Sequence, residues 1–131
     1  MDRVKERVLA EIEKAWPEQL AHLQAIVREA STLGNESGIQ RRMQGTFRQM
    51  GLEVDVFELD PGALQLLPAF SPTEWSYRGR PNVVGRWRAT ESGGRSLVLN
   101  GHIDVVSPEP ISDWTYDPWS AEIIGDRMYG R

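Results

Sequence analysis

His102 and Asp104 are the residues whose types and spacing could do metal or hydrolytic chemistry. They follow an apolar run, residues 97–99, directly after the turn-forming pair Asn100 and Gly101. A neutral imidazole binds divalent cations, and a nearby carboxylate can fix the tautomer of the ring and raise its basicity. Residues two apart on an extended backbone face the same side. The spacing fits a metal ligand with its orienting carboxylate, and it also fits a capping or packing histidine.

Other chemistries have less support in the sequence. A Ser-His-Asp triad with His102 is formally possible, but no Gly-x-Ser-x-Gly segment is present. The 131 residues contain no cysteine, which excludes thiol nucleophiles, thiolate metal sites and disulfides. The net charge of −4 argues against nucleic acid and anionic membranes as partners. Without an apolar signal core or membrane span, the protein is expected to be cytoplasmic.

The first half of the chain carries helical patterns. Apolar residues at a spacing near 3.6 predict a helical segment over residues 2–30, in which Pro17 either kinks one helix or begins a second. A second helical segment is predicted over residues 36–50, with Gly51 as its C-terminal stop. A short helical turn is expected after Asp60, which would cap it.

Strand patterns follow these helices. Alternating apolar residues predict strands near residues 52–59 and 82–89, and the apolar run predicts a buried strand near 96–100. A polar turn is predicted over residues 90–95, between the second and third of these strands, and a β-hairpin is predicted near 121–129. Helices followed by strands within one compact length predict an α/β domain.

Several separated segments together resemble the M20 metallohydrolases, a family of co-catalytic zinc peptidases and deacylases. The group includes acetylornithine deacetylase, succinyl-diaminopimelate desuccinylase, aminoacylase and glutamate carboxypeptidase. The matching segments, in the order of the family, are residues 31–36, 50–54, 80–84 and 99–106, then Trp114, residues 117–119 and residues 128–131. The long loop over residues 68–80 and the exit over residues 108–110 look most like the bacterial branch similar to acetylornithine deacetylase.

The resemblance implies a fold and roles for two residues. His102 would be a ligand of one zinc ion, and Asp104 would be the catalytic carboxylate that orients it. The intact enzyme would hold two zinc or cobalt ions and act as a homodimer on a small N-acyl amino acid or peptide. The implied fold is the N-terminal portion of a helix-flanked mixed sheet, the catalytic domain of a zinc exopeptidase. In the family, the remaining ligands, the general-base glutamate and the dimerisation domain would follow Arg131, so a truncated domain, inactive by itself, is expected.

Four functions are compatible with these sequence features. The leading interpretation is a metal-dependent deacylase that cleaves the amide bond of an N-acyl amino acid or a related N-acyl amine. A dipeptidase or carboxypeptidase of the same family is the first alternative. A deformylase acting on a small heterocyclic amine is the second. A non-enzymatic α/β binding module is the third, and it predicts no dependence on metal.

Overall fold

A computed structural model describes residues 3–91 and 93–131, which form two compact units of helix and short antiparallel sheet. One unit joins the N-terminal residues up to 29 with residues 108–131, and the other comprises residues 30–107. The elements in chain order are α1 (Arg3–Val27), α2 (Ser37–Gln49), β1 (Glu53–Phe57), α3 (Pro61–Leu64), β2 (Asn82–Arg86), a 3₁₀ turn (Ile111–Asp113), β3 (Glu122–Ile124) and β4 (Arg127–Tyr129). The coarse prediction of combined helices and strands is confirmed.

In the unit of residues 30–107, α2 ends just before Gly51, the residue predicted to terminate it. Gly51 adopts a φ of +75°, which glycine reaches without a Cβ penalty. The Gly51 N–H donates to the Arg48 carbonyl over 2.9 Å, and the Leu52 N–H donates to the Phe47 carbonyl over 3.0 Å. These two bonds satisfy carbonyls that the end of a helix leaves open, and they turn the chain directly into β1.

The core of this unit lies where α2 packs on the antiparallel pair β1 and β2. Val54 of β1 is opposite Gly85 of β2 in the register, and Ile39 of α2 is almost completely buried. A Cβ at Gly85 would lie 2.8 Å from side-chain atoms of both Leu52 and Phe47. Glycine at this position therefore lets the helix approach the sheet closely.

The other unit joins α1 to a C-terminal hairpin. Helix α1 is continuous through Pro17, so the alternative of a separate second helix is not adopted. Strands β3 and β4 pair as a hairpin within the range predicted near residues 121–129, and Gly125 at its turn has a φ of +62°. The Gln24 side-chain amide donates to the Ala121 carbonyl over 3.0 Å, which ties the helix to the start of the hairpin.

The prediction of a buried strand near residues 96–100 is wrong for the described residues. No strand is assigned there, and the side chains of Leu97, Val98 and Leu99 are 80–88% exposed. A strand needs a neighbouring strand to satisfy its backbone groups, and β2 pairs with β1 alone. The first bridge after β2 is an isolated parallel one between Val105 and Thr32.

The sheet arrangement also differs from a single mixed sheet. The described strands form two separate two-stranded antiparallel sheets, β1 with β2 and β3 with β4. The predicted turn over residues 90–95 includes Ser92, and the predicted first helix includes Asp2, both of which lie outside the described residues. In the part of the chain that the structure describes, none of the helices combines the length and apolar character that crossing a bilayer requires.

Candidate functional site

His102 and Asp104 contact one another through the His102 ring. The Nδ1 atom lies 2.9 Å from the backbone carbonyl oxygen of Asp104 and 3.4 Å from its carboxylate Oδ1. A carbonyl oxygen can only accept a hydrogen bond, so Nδ1 carries the proton and donates it. The lone pair of a neutral ring is then on Nε2, where a cation could bind. The structure thus brings the two predicted residues together, with the backbone carbonyl nearer than the carboxylate.

The contacting side chains are open to solvent. His102 is 84% exposed and Asp104 is 52% exposed, so Nε2 is accessible to an ion. Within residues 3–91 and 93–131, no group of three or more His, Cys, Asp or Glu side chains is close enough to hold a metal ion. A catalytic zinc site uses three protein ligands as a rule. His102 therefore fits as one ligand, and these residues do not supply a complete metal site.

Ser31 holds the segment that carries the two residues. Its hydroxyl donates to the Ile103 carbonyl over 2.8 Å, and its own carbonyl accepts the Val105 N–H over 3.0 Å. Ser31 is buried, and the adjacent Thr32 forms the parallel bridge to Val105. Ser31, in the loop that precedes α2, is thus hydrogen-bonded to the residue before Asp104 and to the residue after it.

The loop of residues 31–36 is itself ordered by short-range hydrogen bonds. Asn35 bonds back to Thr32 through its backbone N–H over 2.8 Å and through its side-chain amide over 3.0 Å. The Gly34 N–H, at a residue with a φ of +94°, donates to both carboxylate oxygens of Glu36 at 3.1 and 3.0 Å. These bonds fold the loop into a compact turn that presents Ser31 to the segment around Asp104.

A largely buried ion pair fastens this loop to the start of β2. The Arg80 guanidinium donates from Nε to Glu36 over 2.9 Å and from Nη2 to the other carboxylate oxygen. The two side chains are 17% and 6% exposed, respectively. Burial by itself would raise the pKa of Glu36, but the hydrogen bonds from Arg80 and from the Gly34 N–H outweigh it and hold that pKa below its ordinary range.

Sequence reasoning missed this ion pair. Glu36 and Arg80 are 44 positions apart, and no local pattern connects them. A signal did exist, because the two residues belong to two of the segments that carry the family resemblance, residues 31–36 and 80–84. The opposite charges of Glu36 and Arg80, one in each segment, could have suggested that the two side chains contact one another.

The pKa of Glu36 predicts a loss of stability in acid. Its folded-state pKa is below the ordinary value of 4.5, so its contribution is complete above 4.5 and is lost as the pH falls through the lower folded value. Urea unfolding at pH 7 and pH 3 should show that Glu36→Gln is less stable than the wild type at pH 7 and nearer to it at pH 3. Glu53, which is exposed, also has a lowered pKa, caused first by its hydrogen bond from Arg88. The stability of Glu53→Gln at the same two pH values is therefore the comparison for a carboxylate that is not buried. A stability difference for Glu36→Gln that does not change with pH would contradict the assignment.

Comparisons with known proteins show which hydrolases this chain is similar to. No family model matches it. Curated relatives include a succinyl-diaminopimelate desuccinylase of Dinoroseobacter shibae, 41% identical over an alignment of 76 residues that covers 53% of this chain and 20% of the relative. A second desuccinylase, from Methylorubrum extorquens, is 29% identical over 112 residues, which are 86% of this chain and 25% of the relative. The curated homologues are thus hydrolases like those of the M20 family, which confirms the resemblance.

A further relative of the chain is named as a deformylase. Besides the desuccinylases, the chain is similar to N-formyl-4-amino-5-aminomethyl-2-methylpyrimidine deformylase of Bacillus subtilis, 30% identical over 86 residues, or 65% of this chain and 16% of the relative. By name these relatives remove a succinyl or a formyl group. The chain spans between 16% and 25% of the lengths of these three relatives.

Proposed function

We propose that the chain forms part of the catalytic domain of a metal-dependent hydrolase that cleaves the amide bond of an N-acyl amino acid or related N-acyl amine. In this proposal His102 is a ligand of one zinc ion through Nε2, and Asp104 orients the ring. The observation that carries it is the contact of 2.9 Å from His102 Nδ1 to the Asp104 carbonyl, which leaves Nε2 available. The desuccinylase and deformylase relatives support the choice of an acyl amide as substrate.

The residues of this chain would hold and orient one ligand. The Asp104 carbonyl accepts the Nδ1 proton and keeps the ring in the tautomer that presents Nε2. The Asp104 carboxylate, 3.4 Å from Nδ1, would place negative charge beside the ring and help to orient it as a ligand. Bound zinc would supply polarisation of the scissile carbonyl and a more acidic water. The proposal assigns the other ligands and the proton-accepting glutamate to sequence outside these residues.

The first test is metal-dependent hydrolysis by the protein that contains this chain. N-succinyl and N-acetyl amino acids should be hydrolysed with zinc or cobalt, and activity should disappear with a chelator and return with metal. We expect His102→Ala to lower kcat/KM by more than about 100-fold and Asp104→Asn by about 10- to 100-fold. The chain of 131 residues alone is expected to be inactive.

His22→Ala is the matched control, because His22 lies in α1 and takes no part in the proposed site. It should leave kcat/KM within about two-fold of the wild type, the ordinary effect of a substitution outside a site. Full activity of His102→Ala would sink the assignment. Activity that survives complete removal of metal would favour a different mechanism, and absence of any hydrolysis would favour a binding module.

A deformylase is the second candidate because the Bacillus subtilis relative matches 65% of the chain. Release of formate from N-formylated heterocyclic amines, compared with release of succinate from N-succinyl amino acids, separates the two. The substrate with the higher kcat/KM identifies the acyl group.

A further inference from the structure

We infer that Ser31 is a positioning residue that sets the tautomer and direction of the His102 ring. This inference rests on the proposed function for its meaning, because the ring matters as a ligand. Ser31 does not contact the ring; it acts on the two peptide groups that flank the Cα of Asp104. Its hydroxyl bonds to the Ile103 carbonyl over 2.8 Å, and its carbonyl accepts the Val105 N–H over 3.0 Å.

The geometry of the peptide group gives this anchoring a direction. The Asp104 carbonyl and the Val105 N–H belong to one planar trans peptide, in which C=O and N–H point in opposite directions. When the Val105 N–H points at Ser31, the Asp104 carbonyl must point away from the loop. That carbonyl is the group that accepts the proton of His102 Nδ1.

The Ser31 hydroxyl holds the preceding peptide group in the same way. The Ile103 carbonyl and the Asp104 N–H share that plane, so the two bonds of Ser31 together restrict both dihedral angles of Asp104. Ser31 is buried, so water does not compete freely with its hydroxyl for the Ile103 carbonyl. His102 and Asp104 are exposed, so few other packing contacts hold them in place.

The Glu36–Arg80 pair supports Ser31 from the other side. It fixes the end of the loop of residues 31–36, and Gly34 bonds to the same carboxylate. Ser31 thus lies in a turn that several hydrogen bonds hold in place, as a positioning residue requires.

The test is the tautomer of His102 in the 131-residue chain, measured by the ¹⁵N shifts of Nδ1 and Nε2 at a pH where the ring is neutral. The wild type should show the Nδ1–H form predominantly. Ser31→Ala should change the ratio of the two tautomers toward Nε2–H by about five-fold, the factor that one hydrogen bond of ordinary strength carries. Ser31→Thr keeps the hydroxyl and should restore the ratio, which a purely structural role of the residue would not predict.

Two controls keep the result interpretable. The ¹⁵N shifts of His22, measured in the same spectra, should not change. Ser112→Ala removes an exposed serine hydroxyl that is hydrogen-bonded to Asp113, and it should leave the tautomer ratio of His102 unaltered. If Ser31→Ala does not fold, Ser31→Cys, similar in size and a weak donor, should shift the ratio in the same direction. A folded Ser31→Ala or Ser31→Cys chain with the wild-type ratio would overturn the inference.

Addition of zinc chloride separates this inference from the proposed function. If zinc changes the ¹⁵N shift of His102 Nε2 in the wild type but Ser31→Ala does not change the tautomer ratio, the role of Ser31 is overturned and the ligand assignment stays intact. A tautomer change in Ser31→Ala together with full activity of His102→Ala in the metal-dependent assay would support the role of Ser31 and count against His102 as a ligand.

Discussion

Arg80→Met is expected to lower the free energy of unfolding of the unit of residues 30–107 by about 3 kcal/mol at pH 7, the loss seen when one partner of a buried ion pair is removed. The methionine retains much of the apolar stem of Arg80 but removes every donor to Glu36. The Glu36 carboxylate then remains buried without a charged partner, and backbone N–H groups, those of Gly34 and of Glu36 itself, are its donors. Urea unfolding followed by NMR peaks of α2 and β2 measures the change.

The pH dependence identifies the cause of this loss. Without Arg80, burial of Glu36 raises its folded-state pKa, so Glu36 is protonated more readily in the folded variant. The difference between Arg80→Met and the wild type should therefore be largest near pH 7 and smaller near pH 4. Arg88→Met is the matched control, because Arg88 pairs with Glu53 over 2.8 Å at an exposed position. It should change stability only slightly, because an exposed ion pair is screened by solvent, and equal losses for the two variants would refute the importance of burial.

Gly130→Ala is expected to destabilise the unit formed by α1 and residues 108–131 by about 3 kcal/mol, the upper end of the ordinary effect of overpacking. A Cβ at Gly130 would lie 2.3 Å from Cγ1 of Val27 and 3.3 Å from the Pro118 carbonyl oxygen. Val27 is β-branched at the end of a helix and has little rotamer freedom with which to withdraw. The adjacent Arg131 N–H donates to the Pro118 carbonyl over 2.8 Å, which restrains the backbone as well.

A second substitution tests the clash directly. In a Val27→Ala background the contacted Cγ1 is absent, so the added cost of Gly130→Ala should fall below about 1 kcal/mol, and the double variant should lose less stability than the sum of the two single variants. Gly45→Ala is the control for the general effect of replacing glycine, since Gly45 lies inside α2 with nothing within 4 Å of its Cβ position. It should stabilise the protein by roughly 0.5–1 kcal/mol. Additive effects at Val27 and Gly130 would contradict the proposed contact.

Features encoded within a few residues could be predicted from the sequence. Gly51 ends α2 with the two expected bonds, and the Asp60 carboxylate accepts the Gly62 N–H over 2.9 Å to cap α3. These features depend on local dihedral preferences and on donors two to five positions away. His102 and Asp104, which were expected on the same side of an extended backbone, are also local in the sequence, and the His102 ring contacts the Asp104 carbonyl.

Features that depend on distant segments could not be predicted in this way. Glu36 and Arg80 are 44 positions apart, and Ser31 and Ile103 are 72 positions apart. Their contacts exist because the loop before α2, the start of β2 and the segment after residue 100 meet in space. An apolar run likewise indicates a tendency to be buried but does not identify the segment that would cover it. The exposure of residues 97–99 could therefore not be predicted from the run itself.

The sequence by itself predicted the type of chemistry, an imidazole with a carboxylate two residues later, and the resemblance to hydrolases such as the desuccinylase relatives. Only the tertiary structure decided which nitrogen of His102 is free. The carbonyl that accepts the Nδ1 proton is aimed by a peptide plane, and that plane is held by Ser31, a residue more than seventy positions earlier. Hydrogen-bond direction depends on the placement of both partners in space, and sequence spacing describes only one of them.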